Sequence, residues 1–184
     1  YEHHGVDPVG IFRAASVALF SGHASQGAST ITQQLLKNNV FANGGSESSF
    51  GELVKRKVQE QYLAVELEKN QSKAVILENY LNTINLGAGC YGVQAASKRY
   101  FNKDVSELTI SESAVIAAIT QNPTKYNPIN HPEENVKRRE KVLNNMKKNG
   151  YITEEEYQEA IADAVYDRIQ TVSVESERDS TPYS

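Results

Sequence analysis

Apolar residues recur along this chain at the three- and four-residue spacing of amphipathic helices, and alternation with a period of two is scarce. The clearest stripe predicts one long helix whose apolar side faces the core. Its members are Val54, Val58, Tyr62 and Val65, widened by Leu63 and Leu67. A second stripe predicts a further helix and consists of Ile76, Leu77, Tyr80, Leu81 and Ile84. The fold class is therefore predicted to be mainly α.

Start and stop signals place helices in the second half of the chain. Thr109–Glu112 and Thr153–Glu156 have the spacing of capping boxes, in which a threonine and a glutamate cap the first turn reciprocally. Gly150 lies between these signals and is predicted to follow directly on the end of a helix. Three glycines between the second stripe and Val93 are expected to permit a turn and close packing. They are Gly87, Gly89 and Gly92.

The first half of the chain is less regular. Ile11–Phe20 is apolar with small residues and predicts a buried helix. Ser29 is predicted to be the N-cap of a short helix that runs to Asn38. Val40–Ser49 has the glycine- and serine-rich composition of a flexible loop.

The length of 184 residues fits one domain with a tail. We predict a domain over residues 1–166 and a linker over residues 167–184, where the helical pattern gives way to polar residues. The chain opens at Tyr1 without a methionine, and it has no apolar run of transmembrane length. These features favour an N-terminally truncated fragment whose membrane anchor would lie upstream.

Charge and cysteine content exclude several classes of function. The formal net charge is −4, from 19 basic and 23 acidic residues, whereas a nucleic-acid-binding domain would carry a basic excess. Cys90 is the one cysteine, which excludes an internal disulfide and a cysteine-rich metal site. His3 and His4 are adjacent and would point apart on an extended segment, so no metal site is expected.

Two stretches carry residues suited to an anionic ligand. On a helix, the side chains of Gln33, Gln34, Lys37 and Asn38 would project from two adjacent turns, which suits a polar, anionic, sugar-like ligand. Their alternative interpretation is the solvated face of an ordinary amphipathic helix.

The second stretch is a cluster of cations. Lys55, Arg56 and Lys57 repel one another within one turn, and a bound pyrophosphate would relieve that repulsion. The alternative is that Arg56 and Glu60, four residues apart, form a surface ion pair worth roughly 0.3–0.5 kcal/mol.

Together these stretches resemble the peptidoglycan glycosyltransferase domain (glycosyltransferase family 51) of class A, bifunctional penicillin-binding proteins. Five motifs match in order over residues 1 to about 165. They are Tyr1–Asp7, Gly27–Asn38, Arg56–Glu68, Ile76–Phe101 and Leu108–Pro128. Ser180–Ser184 resembles the joint that leads into a transpeptidase domain.

The resemblance implies a lysozyme-like helical fold with a small membrane-facing lobe. It implies polymerisation of lipid II into β-1,4 glycan strands, with inversion at the anomeric carbon and release of undecaprenyl pyrophosphate. The implied partners are lipid II, the growing lipid-linked glycan, the membrane surface and phosphoglycolipid inhibitors of the moenomycin type. The implied location is the outer face of the bacterial cytoplasmic membrane. No cofactor is required, and stimulation by a divalent cation is left open.

Carried over by motif position, the donor-binding residues are Ser29, Gln33, Gln34, Lys37 and Asn38 from the second motif, with Arg56 and Lys57 from the third. Glu60 resembles the family's second carboxylate and is the predicted catalytic residue, which either assists the leaving group or holds a cation in place. Lys37 and Lys57 are predicted to converge on one pyrophosphate.

This sequence departs from the family pattern at two positions. The family's principal base, the glutamate of the first motif, would lie five residues before Tyr1. Glu52 stands where many relatives have an arginine, with Lys55 nearby. Two other functions therefore stay open: a lysozyme-like enzyme that cleaves glycan with Glu60 as general acid, and a catalytically silent binding fragment.

Overall fold

The computed structural model describes residues 3–11, 29–41 and 49–171. Within these ranges the α-helices are α1 (Ile31–Asn39), α2 (Phe50–Asn70), α3 (Lys73–Thr83), α4 (Val93–Phe101), α5 (Ile110–Ile119), α6 (Pro132–Lys148) and α7 (Glu154–Ala162). Residues 8–11 are also helical, and short 3₁₀ turns form at Val105–Glu107 and Val165–Arg168. No β-strand forms in these ranges, so the predicted mainly α class is confirmed.

The chain folds as two compact units, Tyr1–Thr83 and Ile84–Ser184. In the first unit, α1 packs against both α2 and α3. In the second unit, α6 packs against α5 and α7, and an apolar core forms among Ala114, Leu143, Ile152 and Ala160. The predicted boundary between residues 166 and 167 stays a prediction.

Helix α1 begins one residue later than predicted. Its N-cap is Thr30, not Ser29, and Thr30 forms a capping box with Gln33. The backbone N–H of Gln33 donates to Oγ1 of Thr30 at 3.2 Å, and the N–H of Thr30 donates to Oε1 of Gln33 at 2.8 Å. A reciprocal pair satisfies two backbone donors, whereas a lone serine cap satisfies one. Ser29 is thereby released for another contact.

Helix α2 is present as predicted, but the prediction of its buried face was wrong. Val54, Val58 and Tyr62 are 43%, 61% and 66% exposed. The buried positions Arg56, Glu60 and Ala64 follow at four-residue spacing on the other face. The charges are tolerated there because the carboxylate and the guanidinium neutralise each other.

A glycine explains how the first motif meets this helix. Gly5 has φ of +88°, and a Cβ placed on it would lie 2.5 Å from the carbonyl oxygen of Ala64. Oγ1 of Thr30 donates to the carbonyl oxygen of Gly5 at 2.7 Å. Any side chain at this position would collide with the α2 backbone, so the close approach requires glycine.

The second unit follows its local signals closely. Thr109 with Glu112, and Thr153 with Glu156, form the predicted capping boxes at the starts of α5 and α7. At the end of α6, Gly150 has φ of +74°, and its N–H donates to the carbonyl oxygen of Lys147 at 2.9 Å. This left-handed residue after the helix is the arrangement that the sequence predicted.

Several predictions fall wholly or largely outside the described residues. They are the helix over Ile11–Phe20, the flexible loop over Val40–Ser49 and most of the linker over residues 167–184. Among the residues that are described, no helix combines the length and the hydropathy needed to cross a bilayer.

Candidate functional site

The centre of the candidate site is the side chain of Glu60, which is 0% exposed. Nη1 of Arg56 lies 2.5 Å from Oε2, and Nζ of Lys57 lies 2.8 Å from Oε1. A buried carboxylate needs such partners, since leaving it unpaired would cost several kcal/mol, about 3–5. Arg56 is itself 9% exposed, so the alternative of a surface ion pair is wrong.

Lys57 connects the third motif to the second. Its Nζ donates to Oγ of Ser29 at 3.1 Å as well as to Glu60. An ammonium group carries three N–H donors, and the third has no partner among the described residues. The side chain of Lys57 is 38% exposed, so a ligand can reach it. The sequence predicted Ser29 and Lys57 as binding residues, and the structure brings them together.

The two glutamines of α1 are engaged within the protein. Gln33 is buried, and its Oε1 accepts the hydrogen bond from the backbone N–H of Thr30. Oε1 of Gln34 accepts from the hydroxyl of Tyr80 at 3.2 Å, and its Nε2 donates to the carbonyl oxygen of Ser29 at 3.4 Å. Both amides therefore hold the start of α1 and its contact with α3 in place.

The other two residues predicted on α1 are more accessible. Lys37 is half-buried and Asn38 is exposed, and neither side chain has a hydrogen-bond partner among the described residues. Both remain available to a ligand. The convergence of Lys37 and Lys57 on one group stays a prediction, and it is compatible with the packing of α1 on α2.

A second polar cluster was missed by the sequence reasoning. Glu68 on α2 is held by three segments of the first unit: Oγ1 of Thr32 donates to it at 2.5 Å, Nζ of Lys73 at 2.8 Å, and Nδ1 of His3 lies 3.8 Å away. The four side chains line a cavity of about 120 Å³. Burial raises the pKa of Glu68, but the hydrogen bonds from Lys73 and Thr32 outweigh it and lower that pKa below its usual value.

The position of Glu68 within the third motif was visible in the sequence, but its partners were not. Lys73 follows five residues later, across the break between α2 and α3, and His3 is far away in the chain. The cluster connects the first-motif segment to three helices, α1, α2 and α3. Among the described residues, no group of three or more histidines, cysteines or carboxylates is placed to hold a metal ion.

Comparisons with known proteins agree with these motifs. A sequence model of the transglycosylase family matches residues 1–147. Penicillin-binding protein 1A of Escherichia coli is 50% identical over 165 residues, which cover 90% of this chain and 19% of that protein. Penicillin-binding protein 1A of Aquifex aeolicus is 46% identical, covering 88% of this chain and 21% of that protein.

Penicillin-binding protein 1A/1B of Bacillus subtilis is 42% identical, over 98% of this chain and 19% of that protein. The crystal structure of penicillin-binding protein 1A from Haemophilus influenzae matches 72% of this chain and 16% of that one, at 31% identity and a TM-score of 0.44. The chain spans about a fifth of the length of the curated relatives. It belongs to the transglycosylase family, the family of the class A penicillin-binding protein domain that its five motifs indicated.

Proposed function

We propose that this chain is the peptidoglycan glycosyltransferase domain of a class A penicillin-binding protein. It polymerises lipid II into β-1,4 glycan strands during cell wall synthesis, with inversion and release of undecaprenyl pyrophosphate. The observation that carries the proposal is the group formed by Ser29, Arg56, Lys57 and Glu60, which joins the second and third motifs.

The departing pyrophosphate is the part of the reaction that this group suits. Negative charge accumulates on the leaving group as the glycosidic bond breaks, and fixed cations stabilise it most where water is partly excluded. Glu60 and Ser29 already fix the side chain of Lys57. Its remaining N–H can therefore donate to the pyrophosphate without a further loss of side-chain entropy. Lys37 and Asn38 are proposed to supply the second cation and an amide from α1.

The geometry supports one role for Glu60 in this scheme. Its carboxylate is fully enclosed, and both oxygens accept hydrogen bonds from cations. It therefore acts through Arg56 and Lys57 and is proposed to hold them in place. A general acid for glycan cleavage would have to reach a glycosidic oxygen with a proton, and a carboxylate so engaged is not placed to do this. The arrangement thus favours transfer over hydrolysis.

The remaining assignments follow from family membership. We propose a lysozyme-like fold whose small lobe lies on the membrane surface, at the outer face of the bacterial cytoplasmic membrane. Phosphoglycolipids of the moenomycin type would bind to the same cations, because they carry an anionic phosphate next to sugars. No cofactor is needed for the proposed reaction, and a divalent cation is proposed at most as a stimulant.

Polymerisation of labelled lipid II tests the proposal. A chain extended upstream to include the first-motif glutamate should convert lipid II to long glycan, separated by size on a gel. The 184-residue chain should bind lipid II but turn it over poorly. Preformed glycan should stay intact with both proteins. Cleavage of preformed glycan, or an extended chain that binds lipid II without extending it, would overturn the proposal in favour of one of the two alternatives.

A further inference from the structure

The second unit contains a cavity of about 310 Å³ that the proposed chemistry does not use. It lies between the first turn of α5 and the helix α7, and its whole lining belongs to this one unit. Among the described residues that line it, none is a lysine, an arginine or a histidine. The lining instead combines two apolar residues with a serine and three acids, namely Ile110, Ala160, Ser111, Glu156, Glu159 and Asp163.

Ser111 lines this cavity with an oxygen that the fold leaves unused. The residue is 3% exposed, and its Oγ has no hydrogen-bond partner among the described residues. A serine oxygen has two lone pairs in addition to its own O–H. The O–H can turn toward the neighbouring carboxylate of Asp163, but an ionised carboxylate has no donor for the lone pairs. Because buried polar atoms are nearly always paired, a donor from outside the fold belongs beside Oγ.

The three carboxyl groups of the lining are unequally engaged by the protein. Arg168 donates to both oxygens of Asp163, and these hydrogen bonds lower the pKa of that carboxyl. One oxygen of Glu156 accepts from the backbone N–H of Thr153 in the cap of α7. Glu159 is exposed, and its carboxylate accepts from no described residue. Oxygens that can accept from a ligand therefore remain on Glu156 and Glu159.

The lining chemistry selects an ammonium group on an alkyl stem. An ammonium carries three N–H donors and no acceptor, which matches unused oxygens on one serine and two glutamates. Ile110 and Ala160 supply apolar contacts for methylene groups, as a protein surface does for the stem of a lysine. The partial positive charge at the start of α5 does not oppose a cation, because the carboxylate of Glu112 already accepts from the N–H of Thr109 there.

We propose that this cavity binds a primary ammonium group on an alkyl stem, held by Oγ of Ser111 and the carboxylates of Glu156 and Glu159. A free diamine and the lysine side chain of another protein share this chemistry. The ligand is opposite in charge to pyrophosphate, and none of its proposed contacts belongs to the second or third motif. The inference therefore does not depend on the proposed function.

The test titrates the 184-residue chain, labelled for NMR, with cadaverine, a five-carbon diamine. Backbone signals of residues 109–111 and 156–163 should shift and saturate, and added salt should weaken the apparent Kd because salt screens the charges. 1-Pentanol and pentanoate replace the ammonium by a hydroxyl and a carboxylate, and neither should shift these signals at equal concentration. N-acetyl-lysine amide distinguishes the two sources: binding tighter than that of cadaverine indicates a lysine side chain, and weaker binding a free diamine.

Two variants test the contacts. Glu159→Gln should weaken the apparent Kd for cadaverine at least about threefold, since it removes a carboxylate that no described residue engages. Glu155→Gln is the matched control, because Glu155 is an exposed glutamate of the same helix and does not line the cavity. Ser111→Ala should also weaken binding, and it should not lower Tm, because the hydroxyl that it removes is buried without a partner.

Three results would each overturn the inference. They are shifts along α7 that do not saturate, equal affinities of Glu159→Gln and Glu155→Gln for cadaverine, and an equal response of the same signals to 1-pentanol. The lipid II assay is independent of this test: polymerisation by a protein that binds no amine at this cavity would refute the ammonium site alone.

Discussion

Glu60 and Glu112 are two carboxylates of equal burial that sit in different surroundings. Each is 0% exposed, and each accepts hydrogen bonds from two cations. Around Glu112 every contact is internal: Lys103 lies 2.8 and 3.0 Å from its two oxygens, Arg168 3.1 Å from one, and the N–H of Thr109 3.0 Å from the other. Arg168 also holds both oxygens of Asp163.

At Glu60, one of the two cations, Lys57, also contacts a residue of another motif. Lys57 continues from Glu60 to Ser29 at the start of the second motif and still has an N–H to offer. Burial of a carboxylate therefore does not distinguish a functional group from a structural one. The distinction lies in what the lysine contacts: Lys103 donates to the two oxygens of Glu112 alone, whereas Lys57 joins Glu60 to Ser29 of the second motif.

The largest expected effect is on stability, at Glu112. Glu112→Gln removes the charge that two cations share, and breaking a buried pair in this way costs about 3 kcal/mol in the free energy of unfolding. The value is at the low end of the usual range because the side chains of Lys103 and Arg168 are 35% and 39% exposed. Urea unfolding at neutral pH measures it.

The rate of polymerisation per folded molecule should be unchanged in this variant. A loss of rate at a temperature where Glu112→Gln is fully folded would contradict the structural role of Glu112 and erase the contrast with Glu60.

The second effect is on catalysis, at Glu60. Glu60→Gln in the chain extended upstream should lower the polymerisation rate at least about tenfold, which corresponds to about 1.4 kcal/mol or more in the barrier. The glutamine keeps the size of the side chain but no longer fixes Arg56 and Lys57 by charge. Initial rates with lipid II, normalised to the folded fraction, measure the effect. Near-normal turnover would show that Glu60 serves the fold alone.

Local signals in the sequence were sufficient for much of this fold. The capping boxes at Thr109 and Thr153 depend on residues three apart, and both were predicted correctly because such contacts form within a single turn. The buried face of α2 was predicted wrongly for the opposite reason. Apolar periodicity counts Val58 and Tyr62 as core, whereas the fold buries the ion pair of Arg56 and Glu60 instead.

The candidate site shows the same limit. The residue types of the second and third motifs indicated an anionic ligand, and the structure joins Ser29 to Lys57 across 28 positions of sequence. The ion pairs of Glu68 with His3 and Lys73 could not be predicted, since they depend on how three separate segments pack. The motifs identify the residues of a site, and long-range packing decides which of these residues can contact a ligand.

Acid sensitivity gives a third, smaller test of the comparison. Burial raises the pKa of Glu112, but hydrogen bonds from Lys103, Thr109 and Arg168 outweigh it and lower that pKa below its usual value of 4.5. A carboxyl group whose pKa is lower in the folded than in the unfolded state stabilises the folded protein at pH values above its unfolded pKa. This contribution is lost as the pH falls through the folded pKa. The free energy of unfolding should therefore decline below about pH 4.5.

Glu112→Gln should make the free energy of unfolding less dependent on acid pH, since the titrating group has been removed. Part of the decline should remain, because the pKa of Glu68 is also lowered and its contribution to stability is lost in the same direction. Urea unfolding at several values between neutral and acidic pH measures both proteins. Parallel loss of stability in the two proteins would mean that Glu112 does not carry the acid dependence.

The smallest expected effect is at Ser29, where the two motifs meet. Ser29→Ala removes the acceptor of Nζ of Lys57 while Glu60 still holds that ammonium, so the cation stays in the site with more freedom. A single partly exposed hydrogen bond is worth about 0.5–1 kcal/mol, which predicts a rate reduction of about two- to fivefold with lipid II. Ser113→Ala is the matched control, because Ser113 is an exposed serine on α5. Equal rates for both variants would show that Glu60 alone positions Lys57, whereas a loss as large as that of Glu60→Gln would mean that Ser29 itself contacts the substrate.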